Sequence, residues 1–300
     1  MLHVIDLDFH QHPRVVAAGL IDGPGGAVVV DPGPASSLGG LLKGLAANGR
    51  GPEDLEAVLL THVHLDHAGA AGVLAREHPR LRVYVHERGA PHVIDPSKLV
   101  ASASRLYGPE RMLALWGEVP GVDASRVGVL RGGERLRLAG RTIEVAYTPG
   151  HAWHHVSYFD TETRTAVVGD VAGIRVAPSL EVVPPTPPPD IDVESWERSL
   201  DLVRRWEPAR LLLTHFGMFD DAAEHLARVG ARLRGMAGLV RASLEGPAAD
   251  DRERIERFRA GMHAALLRSL GDEEAVRRYE LAVPLDHCWL GLARYWRKRA

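Results

Sequence analysis

The sequence predicts an α/β layered domain over residues 1–220 followed by a helical extension over residues 221–300. Three observations carry this expectation. Short β-rich runs alternate with amphipathic stretches through the first two thirds of the chain. After about Gly217 the strand-like runs stop and apolar residues recur at three- and four-residue intervals. A dense group of potential metal donors, Thr61-His62-Val63-His64-Leu65-Asp66-His67, directly follows the apolar run Ala57-Val58-Leu59-Leu60.

The strand candidates are Gly26 to Asp31, Ala57 to Thr61, Arg82 to His86, Thr142 to Tyr147, Val156 to Asp160, Thr165 to Gly169 and Arg210 to Thr214. Between them Ser36 to Leu45, Gly69 to Glu77 and Val193 to Trp206 place apolar residues at helical spacing. Pro178 to Asp190 contains Pro184, Pro185, Pro187, Pro188 and Pro189, which excludes helix and central strand alike and reads as a stiff extended connection. Beyond it, Ala222 to Leu244 and Arg252 to Leu270 read as helices separated by Gly246-Pro247. A final helix is expected from His287 to Arg299, with Trp289, Leu292, Tyr295 and Trp296 on one apolar face. That face is expected to pack on the main domain, with a dimer interface or a lid over the site as the alternatives.

Composition narrows the function classes. At 300 residues, 45% hydrophobic and 25% charged, the chain can bury a core as one large domain or two smaller ones, and disorder is excluded. No apolar run approaches the roughly 20 residues a bilayer requires, so no membrane association is expected. The N-terminus lacks a basic segment followed by an apolar one, so a cytoplasmic location is expected. A net charge of −3 leaves no global field that would draw in nucleic acid. The expected partner is a small-molecule substrate, with a homodimer left open. The single cysteine, Cys288, cannot close an internal disulfide or build a thiolate cluster, so any metal here must use histidine and carboxylate.

The sixteen histidines matter through their placement. His62, His64, Asp66 and His67 put four donors within six residues. At an extended strand end His62 and His64 project to the same side, because side chains alternate with period two. The turn that follows lets Asp66 and His67 point to a neighbouring position, so one loop can serve two ions. Further donors sit just past other hydrophobic strands: His151 after Thr148-Pro149-Gly150, Asp170 after Ala166 to Gly169, and His215 after Leu211 to Thr214. In layered α/β sheets such positions gather on one rim.

These motifs resemble the metallo-β-lactamase-fold hydrolase superfamily, in its broad group related to hydroxyacylglutathione hydrolases. The resemblance covers about residues 1 to 220. It rests on Val30-Asp31-Pro32-Gly33, the Thr61 to His67 motif, Thr148-Pro149-Gly150-His151 with His155 four residues later, Gly169-Asp170 and Leu213-Thr214-His215. It implies a four-layer αββα sandwich with the metals at one edge of the two packed sheets. It also implies that His62, His64 and His151 hold one ion, that Asp66, His67 and His215 hold the other, and that Asp170 bridges them. Asp31 would support the ligand loops from behind. His155 matches a position where relatives often keep a second histidine, although Ala152-Trp153-His154 replaces the small residues usual in that turn, and Trp153 becomes a candidate pocket wall.

Nitrogen and carboxylate oxygen without sulfur suit Zn2+, two per chain, while Fe2+ or Mn2+ accept the same donors. The expected enzyme is a binuclear metal-dependent hydrolase in which a metal-bound hydroxide, oriented by Asp66 and Asp170, attacks a small thioester, ester or lactone. The alternatives are a mononuclear iron oxidoreductase of the persulfide dioxygenase type and a phosphodiesterase or nuclease, the latter without a visible basic arm. The segments expected to line a pocket are Arg88 to Val127, which includes His92, Asp95, Tyr107 and Trp116, the turn with Trp153, the proline-rich stretch, and the C-terminal helices with His287 and Trp289.

Overall fold

In the computed structural model, which describes residues 1–245 and 250–299, strands and helices form four layers. The expected break at Gly246-Pro247 lies outside the described residues. One sheet contains β1 (Leu2–Asp6), β2 (Ala17–Gly23), β3 (Gly26–Val30), β4 (Leu55–Leu59), β5 (Arg82–His86) and β6 (Val127–Leu130), in that spatial order. Its first three strands pair antiparallel and β3 to β6 pair parallel. The second sheet contains β7 (Arg135–Leu138), β8 (Arg141–Tyr147), β9 (Val156–Asp160), β10 (Thr165–Val167), β11 (Arg210–Leu213) and β12 (Gly217–Phe219), again in sequence order. Only its β10–β11 pair is parallel.

Period-two alternation sorts each strand between two cores. Val28 and Val30 of β3 and Ala57 and Leu59 of β4 face the second sheet, where they meet Ile143, Val145, Tyr158, Val167 and Leu212. Val29 and Val58 face the opposite way, onto helices. Because both faces are covered, these strands read as continuous apolar runs. Fully burying each Val or Leu side chain of these runs contributes about 1.5–3 kcal/mol.

The helices over the first sheet are α1 (Leu38–Ala47), α2 (Leu65–Ala68), α3 (Ala71–Glu77), α4 (Ala90–Ile94), α5 (Ser97–Tyr107) and α6 (Pro109–Trp116). They supply Leu41, Leu45, Leu74, Val93, Met112 and Trp116 to its outer core. Over the second sheet lie α7 (Val193–Arg205), α8 (Ala222–Glu245), α9 (Asp251–Leu270), α10 (Glu273–Ala282) and α11 (Leu285–Arg297), in one apolar cluster with Ala166, Leu211 and Leu213. The architecture is an αββα sandwich with C-terminal helices continuing its last layer. No helix among the described residues is long and apolar enough to cross a membrane.

Several elements differ from expectation. β1, β2, β6, β7 and β12 carry no strong run: β2 is rich in Ala and Gly, which have low β-propensity, and β12 is three residues long, so strands continue to Phe219 and not only to Thr214. The segment from Arg88 to Val127 folds largely as α4 to α6. Trp116 is buried in the outer core, stacked on Phe9 at 5.9 Å, and so is not a pocket residue. Asp95 ends α4 and accepts from Ser97 N at 3.1 Å, a local turn role. The face of α11 packs within the chain, the first of the expected alternatives: Trp289, Leu292 and Tyr295 are buried, Trp289 Nε1 donates to Ser243 Oγ at 3.1 Å, and Trp296 Nε1 donates to Ala237 O at 2.8 Å. Trp289 therefore does not line a site.

α7 fastens two of the donor-bearing turns together. Asp192 caps it, accepting from Ser195 N at 2.8 Å, while its own N–H donates to Gly150 O at 2.9 Å. Ser199 Oγ donates to Pro149 O at 2.6 Å and Trp196 Nε1 to Val171 O at 2.7 Å. The helix passes so close to the 148–151 turn that a Cβ on Gly150, whose φ is +133°, would lie 2.3 Å from Trp196 Cα. Gly150→Ala is therefore expected to destabilise the protein by more than about 1 kcal/mol, read as a lower urea midpoint at unchanged slope. An unchanged midpoint would contradict this packing.

Candidate metal centre

All the donor loops leave the carboxyl ends of strands on one rim. Asp31 follows β3, Thr61 to His67 follow β4, Thr148 to His151 follow β8, Asp170 follows β10 and His215 follows β11. Asp31 organises the rim from beneath, with φ at +52° and its carboxylate buried. Its Oδ1 accepts from Thr61 N at 2.8 Å. Its Oδ2 accepts from Thr61 Oγ1 at 2.7 Å, His67 Nδ1 at 2.8 Å and Thr214 Oγ1 at 3.0 Å.

These bonds fix tautomers. Thr61 spends its proton on Asp31, so its oxygen accepts from His62 Nδ1 at 3.1 Å, leaving His62 Nε2 as a bare acceptor. His151 Nδ1 donates to Pro185 O at 2.8 Å, and His215 Nδ1 to Val15 O at 2.8 Å, with the same consequence for each Nε2. Such outer partners orient metal-binding imidazoles.

The free nitrogens converge in two groups. His64 Nδ1 lies 2.9 Å from His62 Nε2 and 3.0 Å from His151 Nε2. A tetrahedral ion about 2.0–2.1 Å from each would hold them about 3.3 Å apart, close to what is found. In the second group, His215 Nε2 lies 3.3 Å from Asp66 Oδ2, and His67 Nε2 lies 3.7 Å from the same oxygen. Asp170 divides its carboxylate between the groups. Oδ2 lies 3.3 Å from His151 Nε2 and 3.9 Å from His62 Nε2, whereas Oδ1 lies 3.2 Å from His67 Nε2 and 3.6 Å from His215 Nε2. His62, His64, His151 and Asp170 thus form one group able to hold an ion, and Asp66, His67 and His215 another.

His67 Nε2, His215 Nε2 and Asp170 Oδ1 are buried with no hydrogen-bond partner among the described residues. Buried polar atoms are normally satisfied, and three aimed at one point fit a cation that completes them. Gly169, at φ +47°, lets Asp170 reach this position, since a Cβ there would lie 2.5 Å from Thr61 Oγ1.

Electrostatics separate the two groups. Burial, reinforced by the neighbouring imidazoles, holds His62 well below its ordinary pKa, and burial lowers His64 and takes His151 to about 4. These three are neutral at neutral pH. Burial also opposes charge on His67 and His215, but Asp170 and Asp66, joined at His67 by Asp31, outweigh it and raise both. Burial works against charge on Asp66 too, but His67 and His215 bring it down to about 2.

The seven donors singled out in the sequence, His62, His64, Asp66, His67, His151, Asp170 and His215, are brought together, and Asp31 lies behind them. His155 stands apart from both groups: its Nδ1 meets Thr148 Oγ1 at 2.9 Å, and its ring lies 5.1 Å from that of His62. Trp153 is half-buried in the same turn; its carbonyl accepts from Tyr147 OH at 2.9 Å, and the Arg88 guanidinium lies over its ring at 5.7 Å. Sequence reasoning missed Thr61 and Thr214, whose signal is a hydroxyl directly before a donor histidine at a strand end. It also missed His154, whose ring stacks on His62 at 6.1 Å.

Residues 13–215 match the family model described as the metallo-beta-lactamase superfamily. The chain is 27% identical to the metallo-beta-lactamase fold-containing protein ST1585 of Sulfurisphaera tokodaii over 76% of this chain and 84% of that one. A hydroxyacylglutathione hydrolase from Synechococcus is 30% identical over 48% of this chain, and the match spans only 43% of that enzyme's length. In structure, the metallo-beta-lactamase family protein TTHA1429 of Thermus thermophilus aligns with a TM-score of 0.68 at 22% identity, covering 99% of this chain and 93% of that one, so the shared fold includes the C-terminal helices. With residues 13–215, about two thirds of its length and the stretch that carries all the donor loops, matching the family model, the chain belongs to the metallo-beta-lactamase superfamily.

Proposed function

We propose that this protein is a binuclear metal-dependent hydrolase, with Zn2+ as its metal and a small thioester, ester or lactone as its substrate. The observation that carries the reading is the divided carboxylate of Asp170, one oxygen facing each donor group. Two divalent ions bound there would lower the pKa of a shared water to near neutrality and polarise the scissile carbonyl oxygen. The chain's own residues do the rest. Asp66, anionic at neutral pH and with a side chain 22% exposed, is the carboxylate that an incoming water meets, and it accepts a hydrogen bond that orients that water. Asp170, 5% exposed, holds the two donor groups in register. Trp153, half-buried in the turn after His151, would be the side chain against which the substrate's acyl portion rests, and the burial of His62, His67, His151 and His215 keeps bulk water from the donors.

The direct test is elemental analysis of protein purified without added metal, followed by an ester, thioester and lactone screen on the same preparation. Two zinc ions per chain with metal-dependent turnover support the reading; one iron per chain with oxygen uptake replaces it. Asp170→Ala is expected to lose one ion and to lower turnover by about 100-fold or more. Two tightly held ions and normal turnover in that variant would refute the bridging role.

Metal retention should depend on pH in two stages. Protons compete with a metal more strongly at His67 and His215, which are raised above the ordinary histidine value, than at His62, His64 and His151, which are held below it. As pH falls from 7 toward 5, the ion in the Asp66 group is therefore expected to leave first. Metal content measured after equilibration at each pH checks this, and simultaneous loss of both ions contradicts it.

No side-chain nucleophile is required. Cys288 is buried in α11, and burial pushes its thiol up to about 11. Cys288→Ser is expected to keep turnover within about twofold, and trapping of a covalent acyl-enzyme would overturn the mechanism.

A further inference from the structure

His225 is fully buried in α8, lies outside both donor groups and is tied to the loops that carry two of the donors. Its Nε2 donates to Ala172 O at 2.8 Å, in the turn that begins with Gly169-Asp170, where Gly173 N also donates to Asp170 O at 3.0 Å. Its Nδ1 accepts from the Arg175 guanidinium at 3.3 Å. Arg175 is itself buried. It donates to Asp221 Oδ1 at 2.6 Å and to Ser179 O at 2.8 Å, and it lies 4.1 Å from the centre of the Phe219 ring. Its backbone N–H donates to His215 O at 2.7 Å, and its carbonyl accepts from Phe216 N at 3.1 Å.

These bonds need a neutral ring with its proton on Nε2, the form that burial favours by holding His225 at about 4. A backbone carbonyl on one side and a guanidinium on the other leave a single arrangement that satisfies both nitrogens. The imidazole thus sits as a strut between the turn carrying Asp170 and the segment paired with His215. The His62, His64 and His151 group draws nothing from this strut except through Asp170 Oδ2, because its histidines are held by Thr61, Pro185 and their own loops.

We infer that His225 is a positioning residue for the Asp66, His67 and His215 group, holding Asp170 and His215 as one unit from the C-terminal helical layer. The inference rests on the two-ion reading above and adds to it that the helices after residue 220 act more strongly on the ion that takes both Asp170 and His215 than on the one that shares Asp170 alone.

The test uses the full chain, stripped of metal and titrated with Zn2+ against a competing chelator, so that it reads affinity without substrate. Wild type should take up two ions. His225→Asn, whose amide sits near the ring Nδ1 and falls short of Ala172, should weaken the second ion about 10- to 100-fold and the first, which shares only Asp170 with it, by clearly less. His225→Gln, which reaches both partners, should restore the second ion close to wild type. Leu226→Ala, a fully buried neighbour in α8, should lower Tm without altering either affinity. Arg175→Lys, which loses the guanidinium contact, is read in the same way and carries the test if His225→Asn does not fold. If the His225 or Arg175 variant binds both ions as wild type does, or weakens both equally, the inference is overturned and the two-ion reading stands. A wild type that takes up a single ion overturns both.

Discussion

The carboxylate of Asp31 is the interaction on which the site depends. It is buried and accepts four hydrogen bonds, from the Thr61 amide and hydroxyl, the His67 ring and the Thr214 hydroxyl. Burying an unpaired carboxylate would be costly, and these donors offset the cost while tying β3, β4 and β11 together at their carboxyl ends. Because Thr61 gives its proton to Asp31, His62 must donate to Thr61, so one buried anion sets the tautomer of two donor histidines at once.

The sandwich supplies what the loops alone could not. His62, His64, Asp66 and His67 come from the first sheet, whereas His151, Asp170 and His215 come from the second. Their separation is set by the apolar layer between the sheets, where Val28, Val30, Ala57 and Leu59 meet Ile143, Val145, Val167 and Leu212. Close packing resists small changes of spacing, so the distances between donors inherit the precision of the core. α7 and α8 add a further constraint from outside the second sheet, since each hydrogen-bonds to a carbonyl within two residues of Asp170.

Much of this was legible in the sequence because the donors sit beside strong apolar runs. β5 and β9 span the expected Arg82 to His86 and Val156 to Asp160, centred on Val83-Tyr84-Val85 and Val156 to Phe159, and His-x-His-x-Asp-His marks the end of β4. β2 was hidden because Ala17, Ala18 and Gly19 carry little β-propensity and take their strand form from neighbours on both sides. The roles of Thr61, Thr214 and His225 were hidden for another reason: each makes its decisive bond to a residue at least 30 positions away or to a carbonyl brought near only by the layered packing. Trp116 and Trp289 lie in segments expected to line a pocket, yet tertiary packing buries both, Trp289 on the helix face expected to pack within the chain.

Two cations completing one buried donor set, shared through Asp170, is the central claim, and anomalous diffraction from crystals of the zinc-loaded protein tests it most directly. The predicted result is two peaks about 3.5–4 Å apart, one among His62, His64 and His151 and one among Asp66, His67 and His215, each bonded to a different oxygen of Asp170. A single peak, or two peaks with Asp170 bonded to neither, would contradict it.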